Sequence, residues 1–146
     1  MTSVAEILKA KPVRAIRTVS ADAPAFEAVR LMAEANVGAL VVLDGQQVVG
    51  IVSERDCARK LILPRRSVDD TQVHQIMSAP VLVVSPNHTG KECMALMTEN
   101  RLRHLPVMDG AELVGMISIG DLVKQVVADQ QFVIEQLEHY ISGERA

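Results

Sequence analysis

Apolar positions along the chain follow two local rhythms, and each rhythm occurs twice. Short apolar runs, Ala39-Leu-Val-Val-Leu and Val48-Val-Gly-Ile-Val, flank Asp44-Gly45. That pattern predicts a β-hairpin, because Gly tolerates the positive φ of a tight turn. It returns as Leu105-Pro-Val-Met, Asp109-Gly110 and Leu113-Val-Gly-Met-Ile. Ahead of each hairpin the spacing becomes helical. Phe26, Val29, Met32 and Ala33 mark the inner stripe of one helix, with Asp22 as its cap and Pro24 in its first turn. Cys93, Met94 and Met97 mark the other, with Asn87 at the capping position. A short extended piece leads into each helix, Arg17-Thr-Val and Val81-Leu-Val-Val. A second helix follows each hairpin, around 55–62 and around 121–127.

The two halves are copies. Shifted by 65 residues, Val19 to Arg59 falls on Val84 to Lys124 without a gap. Identical pairs include Glu27/Glu92, Met32/Met97, Leu40/Leu105, Gly50/Gly115, Ser53/Ser118 and Asp56/Asp121. Two copies are too few for a solenoid and predict a pseudo-two-fold pair. Each copy reads β-α-β-β-α, and a sheet that short buries only one face, so the expected solution packs the copies sheet to sheet. Short helix-like lead-ins, Val4-Ala-Glu-Ile-Leu and Val73-His-Gln-Ile-Met, precede the copies. The connection from Pro64 to Gln72 is polar and turn-rich. Residues 129–141 read as an amphipathic helix carrying Val133, Leu137, Tyr140 and Ile141.

Composition narrows the function. Of 146 residues 49% are hydrophobic but only 2% aromatic, so the core rests on aliphatic residues and Met. Few rings and a net charge of −3 argue against a nucleic-acid binder, which needs stacking surfaces or a basic excess. No apolar stretch reaches the roughly 18 residues of a membrane span, and the start lacks a leader pattern, so a soluble cytoplasmic protein is expected. Cys57 and Cys93 lie in apolar helical stretches with no CxxC partner and read as buried thiols of a reducing compartment. No His or Cys spacing suggests a metal site. No G-x-S-x-G, phosphate-binding loop or Cys/His nucleophile pair is present, which argues against an enzyme.

Gly50-Ile-Val-Ser53-Glu-Arg55-Asp56 and Gly115-Met-Ile-Ser118-Ile-Gly-Asp121 each stand after a hairpin and before a helix. With Asn36-Val-Gly-Ala-Leu-Val-Val and Arg101-Leu-Arg-His-Leu-Pro-Val, they resemble tandem CBS domains, a pair called a Bateman module. The likeness runs from about Val4 to Val127. It implies an α+β fold of two pseudo-symmetric β-α-β-β-α repeats with a C-terminal helix. Its boundaries would be repeat 1 with its lead-in at 1–63, a linker at 64–72, repeat 2 at 73–128, and the helix and tail at 129–146.

The resemblance implies a regulatory module that binds an adenosine nucleotide in clefts between the repeats. AMP is the first candidate, with ADP, ATP, NAD and S-adenosylmethionine as alternatives. The Asp would hold the ribose diol, with Ser near the phosphate, which assigns Ser53 and Asp56 to one site and Ser118 and Asp121 to the other. Arg55 can add a charge-assisted phosphate contact. Gly120 replaces it in the second copy, where Arg103 and His104 stand at the strand start in place of Gly38 and Ala39. The sites are therefore expected to be unequal. Thr18 and Val83 fall where the family's backbone reads the adenine edge. Plain structural readings stand beside these. Ser53 and Ser118 can be helix caps with Asp56 and Asp121 as first-turn acids. Arg103 can be a solvated strand-edge charge, and the residues around Thr18 and Val83 can be core. A homodimer with the terminal helix in the contact is expected, with an effector protein as a further partner. The alternative function is a dimerisation scaffold with degenerate nucleotide sites.

Overall fold

The computed structural model describes residues 2–11 and 16–143. Among them are five α-helices and two sheets. In chain order they are α1 (Val4–Ala10), β1 (Thr18–Ser20), α2 (Ala25–Ala35), β2 (Ala39–Asp44), β3 (Gln47–Ser53), α3 (Glu54–Cys57), α4 (Gly90–Asn100), β4 (His104–Asp109), β5 (Glu112–Ser118) and α5 (Ile119–Ile141). A π-turn (Ala58–Ile62) prolongs α3, and the second lead-in is a short 3-10 helix, Val73–Gln75.

The copies repeat one another in detail. Both hairpins turn through a left-handed glycine, Gly45 at φ +65° and Gly110 at φ +63°. Both carry an irregularity at the same point, between Val42 and Leu43 and between Val107 and Met108. Both first helices end on a left-handed residue, Asn36 and Arg101. The copies differ at the entry strand. β1 pairs in parallel with β2, and Val41 N–H donates to the Arg17 carbonyl. The expected counterpart, Val81–Val84, keeps only one bridge, from Val84 to Val107. Pro106 stands where Val41 does and has no N–H to give, so the bond that would extend the pairing is missing.

Three sequence expectations are corrected. Asp22 does not cap α2; the cap position is Pro24, and the Ala25 and Phe26 N–H groups donate to the Thr71 and Val68 carbonyls of the following connection. Asn87 does not cap α4; Thr89 and Glu92 form a reciprocal capping box that satisfies two N–H groups at once. The buried stripe of α2 is Ala25, Ala28 and Met32, while Phe26 and Val29 face outward. Nothing interrupts the helix at 128/129 either, because no Gly or Pro lies between Val127 and Gln130, and α5 runs on to Ile141.

The chain forms two compact units whose limits differ from the linear repeat boundaries. The mid-chain unit is Ala15–Val83, and the end-segment unit joins Met1–Arg14 to Val84–Ala146. Each lead-in has crossed over. α1 packs against Val84, Met97, Leu105 and Ile117 of the second copy through Val4 and Ile7. Val73 and Ile76 pack into the core of the first copy with Leu40, Val52 and Leu61. The connection at 64–72 belongs to the mid-chain core as well, where Thr71 is buried and Val68 packs.

Gly50 and Gly115 allow this docking. A Cβ on Gly50 would stand 2.7 Å from Met77 Sδ and 2.9 Å from the Ser78 carbonyl. On Gly115 it would stand 2.8 Å from Leu8 Cδ2. The close approach is thus made by the lead-in of the other repeat.

Candidate functional site

In the mid-chain unit the hairpin brings Ala39 at the start of β2 opposite Ser53 at the end of β3. Thr18 opens β1 at the same end of the sheet. Gly38 precedes β2, and its carbonyl accepts from Glu54 N–H at 3.0 Å. Ser53 leaves the strand with extended backbone and caps α3: its Oγ accepts from Asp56 N–H at 3.1 Å, and Asp56 Oδ2 accepts from Ser53 N–H at 3.0 Å. Ser53 Oγ also donates to Oδ2 at 3.0 Å, Ser78 Oγ donates to Oδ1 at 3.0 Å, and Lys60 Nζ lies 3.2 Å from Oδ1. The Asp56 carboxylate is buried and carries four donors. Arg55 is exposed, and Val83 is exposed at the end of the unit.

The end-segment unit repeats the turn with different partners. His104 opens β4 opposite Ser118, the last residue of β5. Ser118 Oγ accepts from Asp121 N–H at 3.2 Å, and Asp121 Oδ2 accepts from Ser118 N–H at 2.9 Å. Lys11, one residue past α1, sends its Nζ to the same Oδ2 at 2.9 Å and to the Met116 carbonyl at 2.9 Å. No described residue donates to Oδ1. Arg103 is exposed, and its carbonyl accepts from Ile119 N–H at 2.9 Å.

Burial pushes the Asp121 carboxyl up, but the Ser118 N–H and the Lys11 ammonium outweigh it and hold the group below its ordinary range. His104 moves down chiefly because burial disfavours the charged ring, and the pull of Asp121 does not restore it. Asp121 is therefore an anion at neutral pH, with His104 neutral beside it.

The capping reading and the ligand reading thus share the same atoms. At each helix start, three N–H groups are already used inside the protein: those of Ser53, Glu54 and Asp56, and those of Ser118, Ile119 and Asp121. The box and the Gly38 and Arg103 carbonyls take these N–H groups. Side-chain cations remain, Arg55 by one turn and Arg103 by the other. Sequence reasoning missed Lys11, Ser78 and Lys60. Lys60 was within reach as the i+4 partner of Asp56. Lys11 and Ser78 arrive through the crossed lead-ins, for which the linear pattern carries no sign.

A separate cavity of about 350 Å³ opens between α2 and α3, lined by Val29, Met32, Ala33, Cys57 and Ile62 among others. Neither Ser53 nor Asp56 lines it. Cys57 and Cys93 are buried free thiols, and burial raises both pKa values. Among the described residues no group of His, Cys, Asp and Glu is arranged to hold a metal, and no helix is long and apolar enough to cross a membrane.

Comparison with known proteins gives a consistent result. The model of the CBS domain matches residues 4–63 and 73–128. The CBS domain-containing protein CBSX3, mitochondrial, of Arabidopsis thaliana is 37% identical over 97% of this chain and 73% of its own length. A CBS-domain protein of known structure from Burkholderia ambifaria is 56% identical, with a TM-score of 0.84 over 88% of this chain and 96% of that one. A hexameric CBS-CP12 protein from bloom-forming cyanobacteria aligns at a TM-score of 0.76 and 28% identity, over 84% of this chain and 70% of that one.

Proposed function

Since the chain belongs to the CBS-domain family and carries two copies of that domain, we propose that it is a non-catalytic sensor that binds an adenosine nucleotide and acts as a homodimer in the cytoplasm. AMP is the first candidate, ahead of ADP, ATP, NAD and S-adenosylmethionine. The reading rests on one observation above all. Asp121 is an ionised, half-buried carboxylate with Oδ2 fixed by Ser118 and Lys11 and Oδ1 taken by no described residue. An anchored carboxylate with one oxygen that no described residue uses suits the two hydroxyls of a ribose, and Arg103 is the nearby cation for a phosphate. Asp56 is the weaker candidate, because Ser53, Ser78 and Lys60 already use both of its oxygens. Self-association is supported by the hexameric CBS-CP12 neighbour and by the exposed apolar residues of α5.

Calorimetry with AMP and adenosine tests the reading. AMP should bind more tightly than adenosine, and less tightly as salt rises. Hydrogen bonds to a charged group contribute roughly 1.5–3 kcal/mol each, so Asp121→Ala should weaken AMP at least about tenfold. Unchanged AMP affinity in Asp121→Ala overturns the ribose assignment. A dimer that binds none of the named nucleotides at millimolar concentration is instead an association scaffold.

A further inference from the structure

We propose that Lys11 is a ligand-binding residue of the Asp121 turn: its ammonium and the Asp121 carboxylate together hold a vicinal diol, so this turn takes ribonucleotides and rejects their deoxy analogues. The inference rests on the nucleotide reading above and adds the residue that completes it. An ionised carboxylate accepts at about four lone-pair positions, two on each oxygen. At Asp121 the Ser118 N–H and the Lys11 ammonium take those on Oδ2, both at 2.9 Å. No described residue donates to Oδ1. An ammonium has three protons to give. One from Lys11 goes to Oδ2 and one to the Met116 carbonyl at 2.9 Å, and no described residue accepts the third. The pair thus offers an acceptor beside a donor, since Oδ1 and Nζ both flank Oδ2. The side chains are 14% and 27% exposed for Asp121 and Lys11, so a ligand can reach both.

A vicinal diol matches that arrangement. Each hydroxyl has one proton to give and lone pairs to receive. One hydroxyl donates to Oδ1 while its neighbour accepts from Nζ. The carboxylate alone would meet only the donating side of the diol. It would leave a hydroxyl oxygen without a donor where water has been displaced, and that weakens binding. Lys11 is also in place before any ligand arrives. Ser3 caps α1, Val4 and Ile7 are buried, and the Lys11 N–H donates to the Leu8 carbonyl at 3.3 Å. With its ammonium on two acceptors as well, little ordering is left to cost affinity. The mid-chain turn lacks this arrangement. There Lys60 and Ser78 both use Oδ1 of Asp56, and Ser53 uses Oδ2 through its N–H and its hydroxyl. Discrimination by the diol therefore belongs to the Asp121 turn.

Calorimetry on the full chain with AMP, 2′-deoxy-AMP and 3′-deoxy-AMP tests the assignment. Wild type should bind each deoxy analogue about tenfold or more weakly than AMP, the loss of one hydrogen bond to a charged group. Lys11→Met should weaken AMP by a similar factor. It should also erase the penalty for one analogue, the one missing the hydroxyl that Lys11 serves, while the other keeps its penalty. Lys11→Arg still donates and should restore part of the discrimination. A lysine that only pins α1 would change all three affinities by one factor and leave their ratios untouched, and that outcome overturns the proposal. So does a wild type that binds AMP and both analogues equally, a measurement that needs no variant. Asp121→Ala separates this inference from the reading it rests on. If Asp121→Ala weakens AMP while Lys11→Met keeps the wild-type ratios, the ribose assignment stands and the role of Lys11 falls. If wild type binds none of the named nucleotides, both fall.

Discussion

Gly50→Ala and Gly115→Ala put the same methyl group at equivalent places in the two copies, and the structure predicts unequal costs. At Gly115 the three atoms nearest the new Cβ all belong to the Leu8 side chain: Cδ2 at 2.8 Å, Cδ1 at 3.1 Å and Cγ at 3.5 Å. Leu8 is half-buried and can turn aside. At Gly50 the Cβ meets Met77 Sδ at 2.7 Å and also the Ser78 carbonyl oxygen at 2.9 Å. That oxygen cannot rotate away. It accepts from Ile51 N–H at 3.1 Å, while Ser78 N–H donates to the Ile51 carbonyl at 2.7 Å. Relieving the clash therefore strains two backbone bonds as well as the packing. Overpacking costs about 1–3 kcal/mol, and replacing Gly within a strand returns roughly 0.5–1 kcal/mol. For Gly115→Ala these nearly offset, leaving a loss of ~1 kcal/mol. For Gly50→Ala, weakening two hydrogen bonds worth about 0.5–1.5 kcal/mol each brings the loss to ~2–3 kcal/mol. Urea unfolding midpoints at constant slope read the difference. Adding Leu8→Ala should ease the Gly115→Ala strain, whereas Met77→Ala should only partly ease Gly50→Ala. If Gly115→Ala proves the costlier change, or if Gly50→Ala is neutral, the crossed lead-ins do not lie over β3 and β5 as described.

Two further outcomes follow from the titrating groups and the first capping box. The folded pKa of His104 lies below its ordinary 6.5, so its contribution to stability is full above about pH 6.5 and is lost as pH falls through the folded value. Asp121 behaves the same way below its ordinary 3.8, so acid should weaken the end-segment unit in two stages. His104→Gln should remove the first stage from a plot of unfolding midpoint against pH between 7 and 5, and an unchanged slope in that variant rules the histidine out. Asp56→Ala should cost the fold more than Asp121→Ala, by ~1–2 kcal/mol in thermal or urea unfolding, because it strips hydrogen bonds from Ser53 and Ser78 at once. Equal losses would contradict the difference in their partners.

Much of the fold is legible in the sequence because it is local. The Asp-Gly hairpins and the Ser-x-x-Asp turns are set by residues within four positions of each other, and the 65-residue repeat checks each against its twin. What the pattern does not carry is contact across long stretches of chain. The α2 stripe is turned from Phe26 and Val29 to Ala25 and Ala28 because carbonyls from 68 and 71 cap the helix, and those residues lie more than 40 positions away. Small Ala side chains let α2 lie close to β2, where Leu40 and Val42 are fully buried. Phe and Val expose more apolar surface than Ala, so periodicity alone favours the wrong face. Pro106 is the opposite case, since its effect on the entry strand can be read from residue type once the pairing with Val84 is known.

The crossed lead-ins also explain why two carboxylates in twin turns are not twins. Each turn holds its Asp by the same capping box, and each Asp receives one further group from the lead-in that docks beside it. For Asp56 that group is the neutral Ser78 hydroxyl, and the positive charge comes from Lys60, four residues along its own helix. For Asp121 the lead-in supplies the charge itself, Lys11, which also grips the Met116 carbonyl of β5. Any ligand that takes Oδ1 of Asp121, which no described residue uses, draws on the same negative charge that holds Lys11. A ligand phosphate offers Lys11 a competing anion. Binding at this turn would therefore loosen or tighten the hold on α1, while binding at Asp56 would leave its lysine within one helix. If the proposed nucleotide acts as a signal, the Asp121 turn is the one wired to a distant part of the chain, and Lys11 is the residue through which the signal would leave the site.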